Sequence, residues 1–253
     1  MPLIDLSVPI ENSPPDTIEE LRTEIEYEDH AAGADLIERL FGVPPRLLRD
    51  GEGWANETFR RFGTHNSTHV DAPWHYNSTI RGKPAQTIDE LPLEWFLAPG
   101  VVLDFAAKAD GEAITAAEVD EELGRIGHEL RPLDIVLVRT GRDVFLNEPD
   151  YMVRGPGVTV EATEWLFEHG VRVMGIDAWG WDAPLYMQAQ EALESDERGV
   201  FWAAHQADLP YSQIERLCNL GVLPQTGFQV ACFPLRIVGA GAAPARVVAI
   251  VPD

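Results

Sequence analysis

Four potential metal ligands lie close together in the first third of the sequence, in the pattern H-x3-H-x-D-x-P-x-H. They are His65, His69, Asp71 and His75. Imidazole and carboxylate groups suit Zn, Mn or Fe(II), and the lack of a nearby thiolate disfavours a structural zinc cluster. A lone histidine is most often an ordinary polar loop residue, but four ligand-type side chains at alternating positions favour a metal site. The spacing therefore predicts a site for divalent metal.

A straight strand does not bring all four ligands to one ion. The four positions are odd, so an extended chain would place their side chains on one face. At about 3.3 Å per residue, His65 and His75 would stand roughly 33 Å apart, whereas a metal–ligand bond is about 2 Å long. Either the chain curls round one ion, or the ligands divide between two ions. Residues 63–68 are weak helix formers, so we expect a loop that enters a short strand.

The composition is that of a globular protein, and its acidity excludes some classes of partner. Of the 253 residues, 45% are apolar, which suffices for a core, and the formal net charge is −23. This acidity disfavours nucleic acid and anionic membranes as partners. No apolar run reaches the roughly 20 residues of a membrane span. The sequence has two cysteines, Cys218 and Cys232, and its first residues do not resemble a secretory signal, so we expect reduced thiols in a cytoplasmic protein.

Strands and helices alternate in the second half of the chain, which predicts an α/β fold. Residues 134–139 and 171–176 are predicted as strands, and a helix capped by Thr159 lies between them. This order predicts a parallel crossover, with Asp177 at the carboxyl end of its second strand, where ligands bind in open α/β sheets. No break in composition marks a boundary, so we expect one domain over residues 1–253. Further strands are predicted at 3–10, 101–105, 228–235 and 247–251, and helices at 35–41, 116–124 and 186–198.

The histidine segment resembles the signature of the cyclase family of metal-dependent hydrolases, H-x-G-T-H-x-D-x-P-x-H. Here it is His65-Asn-Ser67-Thr68-His69-Val-Asp71-Ala-Pro73-Trp-His75, with Ser67 where the family usually has Gly. The family includes bacterial kynurenine formamidases and isatin hydrolases. The resemblance covers most of the chain: residues 3–7 resemble the opening strand, and residues 136–141 and 165–177 resemble the central strands and helix. His205 and Glu215 resemble the distal His and Glu.

The resemblance implies an α/β fold of the swivelling β/β/α type with a mainly parallel central sheet, in a homodimer or homotetramer. It also implies one or two divalent ions, Zn or Mn. The first ligand set would be His65, His69 and Asp71. The second would be His75, His205 and Glu215, which would instead be the acid–base group if one ion is bound.

The implied reaction is hydrolysis of a C–N or C–O bond in a small, cyclic amide, imide or lactone, or in an arylformamide, by metal-activated water. His205 and His75 would be the catalytic acid–base groups. Two alternatives stay open: a metal-dependent lyase or cyclase acting on a polyketide-like substrate, and a metal- or ligand-binding module without turnover. Four aromatic residues are candidates for the wall of the substrate pocket, with core packing as the alternative for each: Trp74, Trp179, Trp181 and Trp202.

Overall fold

The computed structural model describes residues 1–252, which divide into two compact units. The larger unit comprises residues 1–8 and the chain from Ser67 onward, and the smaller unit comprises Pro9–Asn66. We expect from the sequence that they form a single domain, and a single cooperative unfolding transition would confirm that expectation.

Within the described residues the chain forms fifteen strands and five α-helices. The strands are β1 (Leu3–Asp5), β2 (Glu24–Glu28), β3 (Asn56–Arg61), β4 (His69–Asp71), β5 (Thr79–Ile80), β6 (Lys83–Pro84), β7 (Leu97–Asp104), β8 (Ala113–Ile114), β9 (Ile135–Arg139), β10 (Gly157–Val158), β11 (Val173–Ile176), β12 (Ser212–Glu215), β13 (Phe228–Ala231), β14 (Ala242–Pro244) and β15 (Val248–Ile250). The helices are α1 (His30–Phe41), α2 (Pro73–Tyr76), α3 (Ala116–Ile126), α4 (Val160–Glu168) and α5 (Leu185–Ser195).

A nine-stranded sheet forms the centre of the larger unit, in the order β1-β15-β13-β7-β9-β11-β12-β4-β14. Within this sheet the four strands β7, β9, β11 and β12 run parallel, and the other pairings are antiparallel. The sheet is therefore mixed, and the expectation of a mainly parallel sheet is wrong. Helical crossovers join the parallel strands in sequence, whereas the short strands at both edges come from the histidine segment and from the two ends of the chain and need no crossover.

The hydrophobic core lies on both faces of this sheet. In β9, Val136 and Val138 belong to the cluster that contains residues of α3 and α4. Ile135 and Leu137, which alternate with them, belong to the cluster on the opposite face. A strand buried on both faces is apolar at every position, which is why its sequence shows an unbroken apolar run and not an alternation.

The helix ends follow the predicted capping residues. Thr115 and Glu118 form a capping box at the start of α3, and the Thr159 hydroxyl accepts a hydrogen bond from Ala162 N–H at the start of α4. The predicted parallel crossover is confirmed, because β9 and β11 are adjacent and parallel with α4 between them in the chain. Strands predicted at 228–235 and 247–251 correspond to β13 and β15, which are antiparallel neighbours.

The smaller unit is built from an antiparallel hairpin and one helix. β2 pairs with β3, with an irregular register next to Glu24, and α1 begins after Asp29, whose carboxylate accepts hydrogen bonds from two helix N–H groups. The helix therefore starts earlier than the predicted residues 35–41, and residues 24–28 form a strand. None of the helices in residues 1–252 combines the length and the apolar character that crossing a bilayer requires.

Candidate active site

Two neighbouring strands bring three potential metal ligands to one face of the sheet. β4 and β12 are antiparallel, and their register places His69 opposite Glu215 and Val70 opposite Ile214. Directly opposed residues share a face of the sheet, and so do residues two apart on one strand. The side chains of His69, Asp71 and Glu215 therefore converge, while Val70 and Ile214 pack in the core on the other face.

The three side chains have the separations expected of ligands to a single ion. His69 Nε2 lies 3.3 Å from Asp71 Oδ1 and 3.6 Å from Glu215 Oε2. Two ligand atoms at tetrahedral positions, each about 2.1 Å from an ion, are about 3.4 Å apart. All three residues are buried, and burying two carboxylates side by side favours a cation that offsets their repulsion. The donor set therefore fits a divalent ion such as Zn or Mn.

The backbone of the preceding loop orients His69. Its Nδ1 donates to the carbonyl oxygen of Ser67 at 2.7 Å, and its Nε2 is thereby directed toward Asp71 and Glu215. Burial lowers the pKa of His69, but the neighbouring Asp71 and Glu215 carboxylates outweigh that effect and raise it. The orienting group is a backbone carbonyl, so the replacement of the family glycine by Ser67 leaves it in place. The Ser67 hydroxyl is buried and lies 3.4 Å from the Thr68 carbonyl oxygen.

A buried histidine–aspartate pair contacts the other oxygen of Glu215. His205 Nε2 lies 3.3 Å from Glu215 Oε1, and His205 Nδ1 bonds the carboxylate of Asp182. Asp182 is held in turn by the backbone N–H groups of Ala204 and His205, at 2.9 and 3.2 Å. Burial lowers the pKa of His205, but the two carboxylates raise it further, to about 10. His205 is therefore a proton donor with its Nε2 directed at Glu215.

The loop after β11 holds the Glu215 carboxylate. Trp181 N–H donates to Glu215 Oε1 at 3.0 Å, and a Cβ atom at Gly180 would lie only 3.4 Å from that oxygen. Burial raises the pKa of Glu215, but the hydrogen bond to His205 and the charges of His205 and His69 together outweigh burial and leave the pKa below its usual value. Glu215 is therefore ionised, as a metal ligand must be.

His75 and Trp202 flank His205. The indole ring of Trp202 stacks on the imidazole of His205 with 4.4 Å between ring centroids, and the ring of His75 meets Trp202 edge-on at 5.0 Å. Trp202 has a φ of +63°, which is unusual for a bulky residue and is found mostly at functional sites. Of the predicted site residues, His69, Asp71, Glu215, His205, His75 and Trp202 come together in the larger unit.

The other predicted residues lie in different settings. Trp181 is fully buried in the core, and its indole N–H donates to Thr163 Oγ1 at 2.9 Å, which favours core packing over a pocket wall. Trp179 packs against the Arg216 guanidinium, and Trp74 is 45% exposed on α2. His65 lies half-buried in the smaller unit, and its role as a ligand stays a prediction.

Two residues of the site were missed by sequence reasoning. Asp182 lies in the aromatic loop after β11, and its pairing with His205 depends on the fold of residues far apart in the chain. Arg216 directly follows the predicted ligand Glu215, and this adjacency was the one available signal. Asp177, predicted near a ligand because it ends a strand, accepts hydrogen bonds from Thr140 and Gly141 instead. Burial raises the pKa of Asp177 to about 6.

Comparisons with known proteins identify relatives over most of the chain. The family model described as putative cyclase matches residues 4–183. A kynurenine formamidase of Salinibacter ruber is 30% identical over 192 residues, which are 74% of this chain and 76% of the relative. An isatin hydrolase of Roseibium aggregatum is 29% identical over 213 residues, 75% of this chain and 73% of the relative. The structure of isatin hydrolase A from Labrenzia aggregata, bound to benzyl benzoate, has the same fold, with a TM-score of 0.71 and 24% identity over 100% of this chain and 94% of that one.

Proposed function

The chain belongs to the cyclase family, and from that premise we propose that it is a metal-dependent hydrolase of a small amide, imide or lactone. The observation that carries the proposal is the register of β4 and β12, which brings His69, Asp71 and Glu215 together beside His205. Two of its relatives support the same reaction class, since one is named a formamidase and the other a hydrolase.

His69, Asp71 and Glu215 would hold a divalent ion, Zn or Mn. The ion, when bound, supplies a water molecule of lowered pKa and polarises the substrate carbonyl. The resemblance to the family proposes His65 and His75 as further ligands, and a second ion is compatible with that larger set. The chain's own contribution at this point is to fix three ligands in position, two on one short strand and one on its neighbour, so that little rearrangement accompanies binding.

His205 would protonate the leaving nitrogen or oxygen. Its Nε2 faces the metal-binding carboxylate, and its Nδ1 is fixed by Asp182, so the ring cannot rotate its proton away from the site. When the charge of Glu215 is shared with a cation, the pKa of His205 falls from about 10 toward the neutral range in which a general acid is most effective. Asp182 stabilises the imidazolium form of His205 before the proton is transferred, as the carboxylate of a catalytic triad does.

Trp202 and His75 would form one wall of the substrate pocket. The indole ring of Trp202 covers one face of the His205 imidazole, and the ring of His75 meets Trp202 edge-on. Exclusion of water from the space beside these rings strengthens the electrostatic interactions that the reaction uses. A planar amide substrate fits a wall made of flat rings.

Metal analysis combined with a hydrolysis screen tests the proposal. The purified protein is expected to contain about one or two equivalents of Zn or Mn, to hydrolyse at least one of a panel of lactams, imides, lactones and formamides, and to lose that activity to a chelator. Oxygen-18 from solvent should enter the product, because hydrolysis consumes water and a lyase or cyclase reaction does not. A protein that binds metal but turns over none of the panel would instead be a binding module.

A further inference from the structure

A buried guanidinium lies beside the candidate metal centre. Arg216 follows Glu215 directly and is 7% exposed. Its Cζ lies 3.5 Å from the centroid of the Trp179 ring. Among the described residues, no carboxylate forms an ion pair with it, and its Nε has no hydrogen-bond partner. A buried cation is costly unless it is paired, so an arginine in this position calls for an anionic partner.

The backbone at Arg216 is held in a conformation that arginine rarely adopts. Its φ is +58°, in the left-handed region that Gly and Asn populate most readily. Hydrogen bonds on both sides keep it there: Arg216 N–H donates to the Ala178 carbonyl at 3.1 Å, and the Thr68 hydroxyl donates to the Arg216 carbonyl at 2.6 Å. Strain of this kind is retained where it serves a function, here by fixing the side chain against Trp179.

A second unpartnered donor adjoins the guanidinium. Tyr151 is buried, its hydroxyl has no hydrogen-bond partner, and its ring meets Trp179 edge-on with 5.9 Å between centroids. Burial raises the pKa of Tyr151, and the charge of Arg216 opposes that rise, which indicates that the two groups are neighbours. A guanidinium and a phenol on one indole ring thus form a set of donors that lacks an acceptor.

The carboxylates of Glu215 and Asp71 attract the Arg216 guanidinium, but neither forms an ion pair with it. A divalent ion held by Asp71 and Glu215 would balance their two negative charges, and Asp182 is paired with His205. With these charges balanced, the guanidinium of Arg216 would be an excess positive charge in a protein whose net charge is −23. Such a local excess attracts an anion.

We propose that Arg216, assisted by Tyr151, binds a carboxylate of the substrate, so that the preferred substrate is an amide that also carries a carboxylate. A planar guanidinium preorganised by stacking recognises a carboxylate with two parallel hydrogen bonds. The substrate preference in this inference rests on the proposed hydrolase function. The binding of an anion by Arg216 can be tested without turnover.

The kinetic test compares a charged with a neutral substrate. The wild-type enzyme is expected to favour ortho-formamidobenzoate over formanilide, which lacks the carboxylate. Arg216→Asn should lower kcat/KM for ortho-formamidobenzoate by about 30-fold or more, and should lower kcat/KM for formanilide by a much smaller factor. Arg216→Lys keeps the positive charge but lacks the planar pair of N–H donors, so its kcat/KM for ortho-formamidobenzoate should lie between those of wild type and Arg216→Asn. Arg246→Asn is the matched control, because that arginine pairs with Asp5 at an exposed position.

The folding of the main variant is expected to be intact. Asn adopts a positive φ more readily than Arg, so Arg216→Asn should melt at the wild-type temperature or above it. Equal losses on both substrates, or preference of the wild type for formanilide, would overturn the proposal.

A binding measurement separates failure of this proposal from failure of the hydrolase function. Calorimetric titration of the wild-type holoprotein with ortho-aminobenzoate should show binding that aniline does not show and that Arg216→Asn abolishes. If the protein hydrolyses no amide but binds ortho-aminobenzoate through Arg216, the hydrolase function fails and the anion site stands. If Arg216→Asn binds ortho-aminobenzoate as tightly as wild type, the anion site fails whatever the enzyme hydrolyses.

Discussion

His69 and Glu215 lie directly opposite each other on adjacent antiparallel strands, with 3.6 Å between His69 Nε2 and Glu215 Oε2. The two residues come from distant parts of the sequence, and the ladder of β4 and β12 makes them neighbours. A shift of one residue in that register would turn Glu215 to the opposite face of the sheet. The candidate metal centre is therefore a property of the strand pairing as much as of its ligands.

Replacing Glu215 should release the metal. Glu215→Gln keeps the size of the side chain but removes its charge, so metal affinity is expected to fall by more than about 100-fold, since loss of a group that merely supports a ligand already costs 10- to 100-fold. Elemental analysis after dialysis measures the effect. The matched control is Glu122→Gln, a buried glutamate that pairs with Arg125 on α3. Retention of full metal content by Glu215→Gln would contradict the ligand assignment.

Replacing Asp182 should impair the reaction without removing the metal. In Asp182→Asn the carboxylate that orients His205 and raises its pKa is lost. We expect kcat to fall by about 10²- to 10⁴-fold, with the metal content unchanged. The alkaline limb of the pH–rate profile should move to lower pH, because His205 then loses its proton more easily. A profile that keeps its alkaline limb would show that His205 is not the group that titrates.

The metal-free protein should lose stability as the pH rises. The pKa of His205 is raised in the folded protein to about 10, above the ordinary value of about 6.5. A raised histidine pKa stabilises the fold fully below pH 6.5, and this contribution is lost as the pH rises toward 10. Urea unfolding of the chelator-treated protein between these pH values measures the decline. Asp182→Asn should flatten it, and an equally steep decline in that variant would contradict the assignment.

Substitution of Trp202 should change ligand binding, whereas substitution of Trp181 should change stability. Trp202 stacks on His205, so Trp202→Phe should reduce the fluorescence quenching caused by an aromatic cyclic amide, with little change in stability. Trp181 is fully buried and bonded to Thr163, so Trp181→Ala should cost about 3–5 kcal/mol of unfolding free energy. Unfolding curves and ligand titrations on both variants distinguish the roles. If Trp181→Ala kept its stability but lost the quenching, Trp181 would belong to the pocket wall after all.

Restoring the family glycine at position 67 should leave metal binding intact. The group that orients His69 is the Ser67 carbonyl, which Ser67→Gly retains. The added backbone freedom is expected to cost about 1 kcal/mol of stability or less, measured by urea unfolding. A large gain or loss of metal affinity in Ser67→Gly would show instead that the serine side chain acts on the centre.

The sequence by itself determined the local features of this protein. The alternation of His69 and Asp71 on a short strand, the capping box of Thr115 and Glu118, and the unbroken apolar run of β9 each depend on residues near one another in the chain. Local backbone preference and periodicity determine such features. The resemblance to the cyclase family added His205 and Glu215, which spacing alone does not connect with the histidine segment.

Only the tertiary structure decided which distant groups meet. The antiparallel edges of the sheet, the pairing of Asp182 with His205 and the place of Arg216 against Trp179 arise from contacts between segments far apart in sequence. Strand register and loop packing set these contacts, and both depend on the burial of the whole core and not on any local pattern. For the same reason Trp181, which has the same residue type as Trp202 and lies in a similar aromatic segment, is part of the core.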